Sequence, residues 1–310
     1  MKPELILHIG APKTGTTAFQ NILLENRILL QEMGVLYPLP YYGNNHSRNF
    51  FCYTPDFYHI SSSYYYQECQ PFLRDQISEW RNTVFDEATL KAEGSHDRVI
   101  LSSEWLFGRD ALDVSGMKEI KGRFSDYQVK ILCCLREQSA WLRSHYAELI
   151  KSGVSRDVHH PFYHNMDNFL ILKFLSDELD YERRLDEFAL VFGRENVKAI
   201  WVEDWADILV PLFQHIGVDP TELSWSKDGF VSNRRMSWAG IASLRVTNRL
   251  PVGRHILGRL VKKIDVRVGN TLPRKLLNSI DPMKKRTAEI IKSRYQLSNE
   301  AVRKKYSHDE

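Results

Sequence analysis

Glu4-Leu-Ile-Leu-His-Ile9, then Gly10-Ala-Pro-Lys-Thr-Gly-Thr-Thr17, then a periodic run from Ala18: the reading of this opening stretch decides the fold. Glu4 to Ile9 is a short, almost wholly apolar run and reads as a buried strand. Residues 16–33 carry apolar side chains at Phe19, Ile22, Leu23, Leu29, Leu30 and Met33, close to the i, i+3, i+4, i+7 spacing of an amphipathic helix. Between them lies a Gly/Thr-rich turn with one lysine. A strand feeding a helix through such a turn aims backbone N–H groups and the positive end of the helix dipole at one spot, which suits phosphate. Gly10, Gly15 and Thr17 match the G-x-x-x-x-G-K-[ST] spacing of nucleotide triphosphatases, but Thr16 stands where their lysine belongs. The lysine is Lys13, inside the loop, where it reaches a different part of a ligand. A ligand-free turn is the plain alternative.

The chain has 310 residues, 43% hydrophobic and 26% charged, enough for one large core or a core with a helical appendage. No run approaches the roughly 18 apolar residues of a spanning helix. Met1-Lys-Pro-Glu4 leads directly into the strand, so a signal peptide is not expected. Cys52, Cys69, Cys133 and Cys134 lack metal-ligand spacing, and the last two sit in an apolar run as expected of buried free thiols. A cytoplasmic location follows as the expectation. The formal charge of +3 hides an asymmetry: residues 231–310 hold 19 Lys/Arg against 6 Asp/Glu, whereas residues 1–230 hold 23 against 33. The C-terminal part is therefore expected to meet something anionic.

Taken in order, Gly34 to Pro38 reads as a second strand, and residues 38–66 as a long Tyr/Asn/Ser/His-rich loop. Tyr41 and Tyr42 there either line an acceptor cleft or pack the loop down. Residues 71–92 read as a helix with proline in its first turn, and 98–101 as a third strand running into Ser102-Ser-Glu-Trp105. A carboxylate such as Glu104, just past the end of a strand in an α/β sheet, stands where ligands bind. A helix over 113–125 and a strand over 128–135 follow. That strand ends at Arg136, with Ser144 eight residues later on the first turns of the next helix. A guanidinium fork and a hydroxyl together suit a phosphate monoester. Residues 152–165 form a second polar loop, whose His159, His160 and His164 read as part of a solvent-facing acceptor loop rather than a metal set. Helices over 166–175 and 178–192, stopped by Gly193, precede a fifth strand over 196–201 and a helix to His215. Residues 250–277 alternate Ile, Leu and Val with Arg and Lys, as a basic amphipathic segment on an anionic membrane surface would. A solvated cap on the core and an anionic-glycan site are the alternatives.

His8-Ile-Gly-Ala-Pro-Lys-Thr-Gly-Thr-Thr-Ala-Phe-Gln20 resembles the 5′-phosphosulfate loop of sulfotransferases that use 3′-phosphoadenosine 5′-phosphosulfate (PAPS), in its bacterial and glycosaminoglycan-enzyme form. Arg136 and Ser144 resemble the 3′-phosphate motif of that family. Val202-Glu-Asp-Trp205 resembles its adenine-side segment with valine in place of the usual aromatic. Asn44-Asn-His46 resembles a recurrent histidine position, and Asn233 to Ser237 and Leu297 to Tyr306 resemble further bacterial segments. The resemblance implies an α/β, P-loop-like three-layer fold, its central, mostly parallel sheet flanked by helices. Residues 1–230 would form the donor-binding core, with 231–310 a basic, mainly helical extension packed on it.

It further implies transfer of a sulfuryl group from PAPS to a hydroxyl, less readily an amine, of a carbohydrate or glycolipid, releasing adenosine 3′,5′-bisphosphate without a metal. Pro12, Lys13, Thr14, Gly15, Thr16 and Thr17 would hold the 5′ side of the donor, and Arg136 and Ser144 the 3′-phosphate. Lys13 would stabilise charge on the leaving oxygen, Glu104 or else His46 would be the base, and Ser102 and Ser103 would bind substrate or donor. Two other readings stand beside this one. The first is a kinase or nucleotide hydrolase using ATP·Mg, and the second a catalytically silent nucleotide-binding or membrane-associated scaffold. A nucleic-acid role lacks any recognisable module.

Overall fold

A computed structural model describes residues 2–39, 90, 94, 96–108, 112–152, 166–175, 178–202, 209–224, 236–248, 254–271, 281 and 283–307. Tyr41, Tyr42, His46, the histidines of 152–165, the helix over 71–92 save Leu90, and residues 203–208 and 231–235 lie outside them.

Five strands among these residues form one parallel sheet: β1 (Glu4–Gly10), β2 (Val35–Leu36), β3 (Arg98–Ser102), β4 (Gln128–Leu135) and β5 (Val197–Trp201), in the order β2-β3-β1-β4-β5. All four strand pairings are parallel. Leu5, Ile6, Leu7 and Ile9 are all buried, as expected of a central strand covered on both faces. At the starting edge the Glu4 carboxylate accepts from Arg98 Nε of β3 (3.2 Å) and from Lys130 of β4, bracing β1 against both neighbours. Burial works against its ionised form, but these two cations hold the carboxyl below its ordinary value.

Helices cover each face. On one side α1 (Thr16–Glu25) packs Phe19 edge-on to His8 and to Phe213 of α7 (Leu209–His215), both with ring centroids 5.3 Å apart. On the other, α3 (Val114–Arg123) and α6 (Tyr181–Phe192) share a core with Leu5, Leu7, Ile9, Ile131 and Leu135. The chain is thus an α/β protein with a five-stranded parallel sheet between helical layers. The periodic run over 16–33 is two helices rather than one, α1 and α2 (Arg27–Glu32). They part at Asn26, whose side chain donates to Ile22 and Ser224 carbonyls and accepts from the Ser224 amide.

The described chain divides into two compact units, residues 1–137, 180–229 and 296–310 in the first, and 138–179 with 230–295 in the second. The first holds the sheet. The second is helical: α4 (Gln138–Ser152), α5 (Met166–Leu175), α8 (Trp238–Thr247) and α9 (Arg254–Thr271), with the first half of α10 (Lys285–Tyr306). Its core is built from Trp141, Leu142, Tyr146, Phe169, Ile241 and Ile291. Asn248 closes it by donating to the Ile150 carbonyl at 2.9 Å. Among the described residues no helix is long and apolar enough to cross a membrane.

His8 is the fully buried polar residue of β1. Its Nδ1 lies 2.7 Å from Ser102 Oγ, and burial pushes its pKa down to about 3 from an ordinary 6.5. Between those values the unfolded chain binds a proton that the folded chain refuses, so stability falls with falling pH. From pH 7 to pH 5 this one group should cost about 2 kcal/mol. Urea denaturation at the two pH values measures it, and His8→Asn should flatten the dependence by one proton.

Candidate functional site

The sheet order sets where a site can form. From β1 the chain moves through β2 to β3 on one side, and from β3 it crosses to β4 on the other. In open parallel sheets ligands bind beyond the carboxyl ends of the strands where the order reverses, here between β1 and β4. The loop after β1, Glu104 after β3 and Arg136 after β4 all lie at that edge.

The turn between β1 and α1 is unusual in its backbone. Gly10 has φ 96°, Lys13 φ 66° and Gly15 φ 87°. Among the described residues Lys13 is alone in having a positive φ without being glycine. Such strain persists where the surroundings over-determine it and concentrates at functional sites. The surroundings are clear. Ala11 N donates to the Cys134 carbonyl of β4 (2.6 Å), and the Thr14 hydroxyl donates to the Ala11 carbonyl (2.6 Å). Gly15 is the N-cap of α1, and no side chain caps that helix. The N-cap therefore offers no side-chain oxygen to the first turn, an arrangement that suits an anion.

Glu104 opens a single 3₁₀ turn, Glu104–Phe107, directly after β3. A Cβ on Gly10 would lie 3.1 Å from both the Cα and the carbonyl oxygen of Glu104, so a side chain at position 10 would push the two segments apart by a few tenths of an ångström. The Thr16 hydroxyl donates to Glu104 Oε1. Burial raises the Glu104 pKa, against the opposing pull of the Thr16 hydrogen bond and of the Lys13 charge. A lysine and a carboxylate of raised basicity thus share the mouth of the loop.

The other predicted residues distribute as follows. Pro12, Lys13 and Gly15 are half-buried, Thr14 and Thr16 are buried, and Thr17 is exposed. The Thr14 hydroxyl is turned inward to the loop itself. Ser102 is fully buried beneath the edge, its hydroxyl accepting from Gln20 Nε2 at 2.9 Å and bonded to His8. Ser103 is also buried, its amide donating to the His8 carbonyl at 2.8 Å. Arg136 is half-buried in the first unit, and its carbonyl accepts from the Tyr181 hydroxyl at 3.0 Å. Ser144 is half-buried on α4 in the second unit. Cys133 and Cys134 are buried free thiols, and burial pushes both thiols up, away from reactivity. Among the described residues no three His, Cys, Asp or Glu side chains cluster as metal ligands do.

Two supports escape the sequence reading. One is the His8–Ser102–Gln20 network beneath the loop. The other is Arg184 on α6, buried at 3% exposure. Its guanidinium donates to the carbonyls of Leu106 (2.7 Å), Phe107 (2.7 Å) and Gly108 (3.3 Å) and pairs with Glu187 (2.9 Å). It therefore caps the turn that begins at Glu104. The signal was present: Tyr181, Arg184, Leu185 and Phe188 share one helical face, an arginine among apolar core positions.

No family model and no curated protein matches the sequence. Among solved structures the chain is similar to a sulfotransferase from Alicyclobacillus acidocaldarius, at 18% identity and a TM-score of 0.42, over 74% of this chain and 88% of that one.

Gly10→Ala should cost about 1–3 kcal/mol through its positive φ and the contact with Glu104. Arg184→Met, which strands two buried carbonyls and the half-buried one of Gly108, should cost about 3 kcal/mol or more. Denaturant midpoints with unchanged m-values check both.

Proposed function

We propose that the protein transfers a sulfuryl group from PAPS to a hydroxyl of a carbohydrate or glycolipid acceptor. The observation that carries the reading is the β1–α1 turn: Gly15 as the N-cap of α1, Lys13 at positive φ, and Glu104 bonded to Thr16 beside it. The resemblance of residues 8–20 to a 5′-phosphosulfate loop, and of Arg136 and Ser144 to a 3′-phosphate motif, supports the same conclusion.

First-turn amides of α1 and the exposed Thr17 would receive the 5′-phosphate, and Arg136 with Ser144 the 3′-phosphate. PAPS supplies an activated sulfuryl group when bound. The acceptor oxygen bonds to sulfur as the sulfur–oxygen bond to the 5′-phosphate breaks, and the acceptor proton passes to Glu104. Lys13 stabilises the negative charge that grows on the leaving oxygen. In-line positioning supplies much of the remainder, as in phosphoryl transfer. A glutamate of raised basicity is a better base than one at its ordinary value, provided it is ionised at the working pH. The Lys13 charge and the Thr16 hydrogen bond favour that ionised form. His46 is the second candidate for the base, and Tyr41 and Tyr42 would line the acceptor side.

Thermal-shift measurements separate this reading from its rival. Adenosine 3′,5′-bisphosphate should raise the melting temperature without metal, and stabilisation by ATP·Mg alone would refute the proposal. Arg136→Ala and Ser144→Ala should weaken the bisphosphate effect. With ³⁵S-labelled PAPS and a panel of glycan acceptors, Lys13→Ala and Glu104→Gln should each lower kcat by about 10²-fold or more. Because the base must be ionised, the rate should rise with pH along an acid limb above the ordinary glutamate value of 4.5, and Glu104→Gln should abolish that limb.

A further inference from the structure

Helix α9 turns its apolar side away from its own core. Gly258 is buried and Val261 packs against the core of the second unit. Asp265, one turn on, accepts from the Ser237 amide at 3.1 Å and from the Ser237 hydroxyl at the head of α8. The two helices meet so closely there that a Cβ on Gly240 would lie 2.4 Å from the Asp265 carboxylate. These contacts fix the rotation of α9 about its axis. Ile256, Leu260 and Ile264, spaced four residues apart, are left 69%, 50% and 48% exposed, with Leu257 beside them. Positions at i and i+4 adjoin on a helix surface, so the four side chains form one continuous stripe.

The charges around the stripe point to its occupant. The helix carries five Lys/Arg and one acid, Asp265, and that acid is engaged on the inner side. Arg259, Lys263 and Arg267 are exposed, and by helical geometry they follow the stripe along its edge. A second copy of this chain would bring like charges together, whereas an anionic bilayer offers acyl chains to the stripe and phosphates to the cations. The helix is not apolar enough to cross a membrane, so it would lie in the interface plane.

We propose that α9 docks on an anionic lipid surface, with Ile256, Leu260 and Ile264 entering the acyl boundary and Arg259, Lys263 and Arg267 meeting the headgroups. This does not depend on the sulfuryl-transfer reading.

Cosedimentation of the full chain with vesicles tests it. Binding is expected with phosphatidylglycerol mixed into phosphatidylcholine, little with phosphatidylcholine alone, and less as salt rises. The pair Leu260→Ser/Ile264→Ser should lower the partition coefficient by about tenfold or more, and Lys263→Glu should lower it too. Should the paired variant fail to fold, Ile256→Trp in the otherwise unaltered chain provides a second readout, a blue shift in the difference fluorescence on adding the anionic vesicles. Absence of that shift overturns the proposal. So does failure of the unaltered chain to bind, or binding that the serine pair leaves undiminished. A lipid-free dimer abolished by the same pair, or retention on an acidic polymer without vesicle binding, would assign the stripe to another partner and equally overturn it.

Discussion

The absence of a side chain at Gly10 is the constraint on which the site depends. A bare Cα at φ 96° lets the end of β1 pass against the Glu104 backbone without strain or displacement. Once it does, three segments from three strands become mutually bonded. The loop amide of Ala11 holds β4, the Ser103 amide holds β1, and Thr16 at the head of α1 holds the Glu104 carboxylate. The strained conformation of Lys13 sits between this assembly and the local Thr14–Ala11 hydrogen bond. Rigid parallel strands beneath it supply the precision that a loop alone would lack.

Beneath the edge lies a polar layer that an ordinary α/β core would fill with hydrocarbon. His8, Ser102 and Gln20 are each buried, with His8 and Gln20 both bonded to the Ser102 hydroxyl, and Arg184 donates to three carbonyls of the adjoining turn. Buried polar groups are costly when unmatched, and a satisfied network tolerates few alternative arrangements. The consequence is a floor whose groups specify one register of β1 against β3. The depressed pKa of His8 follows from the same burial, since a charged imidazole there would face a neutral interior.

The end of the chain returns to the sheet. The second half of α10 sets Arg303 over Trp201 at 4.2 Å, joins Lys305 to Glu182 (2.8 Å) and Asp186 (3.0 Å), and bonds the Tyr306 hydroxyl to Asp186 at 2.5 Å. Ser307 then donates to the Ala199 carbonyl of β5 at 2.8 Å. These groups brace α6, the helix that carries Arg184, so the last residues of the sequence support a turn formed near its first third. The second unit has its own core, and within it Asp265 governs which side of α9 meets solvent.

What the sequence determined was local. Continuous apolar runs placed all five strands to within two residues, because strands covered on both faces leave little room for polar side chains. Glycine and lysine in the opening turn marked a candidate anion site, and Gly193 ended α6 as expected. Tertiary structure decided what those patterns could not encode. The order β2-β3-β1-β4-β5 brought Glu104 to Lys13, and it made Ser102 a buried partner of His8. It also turned the periodicity of α9 outward and recruited Arg184 across about eighty residues to cap the Glu104 turn. The reason is physical: periodicity records how much of a side chain is covered, and only the packing of distant segments settles what covers it.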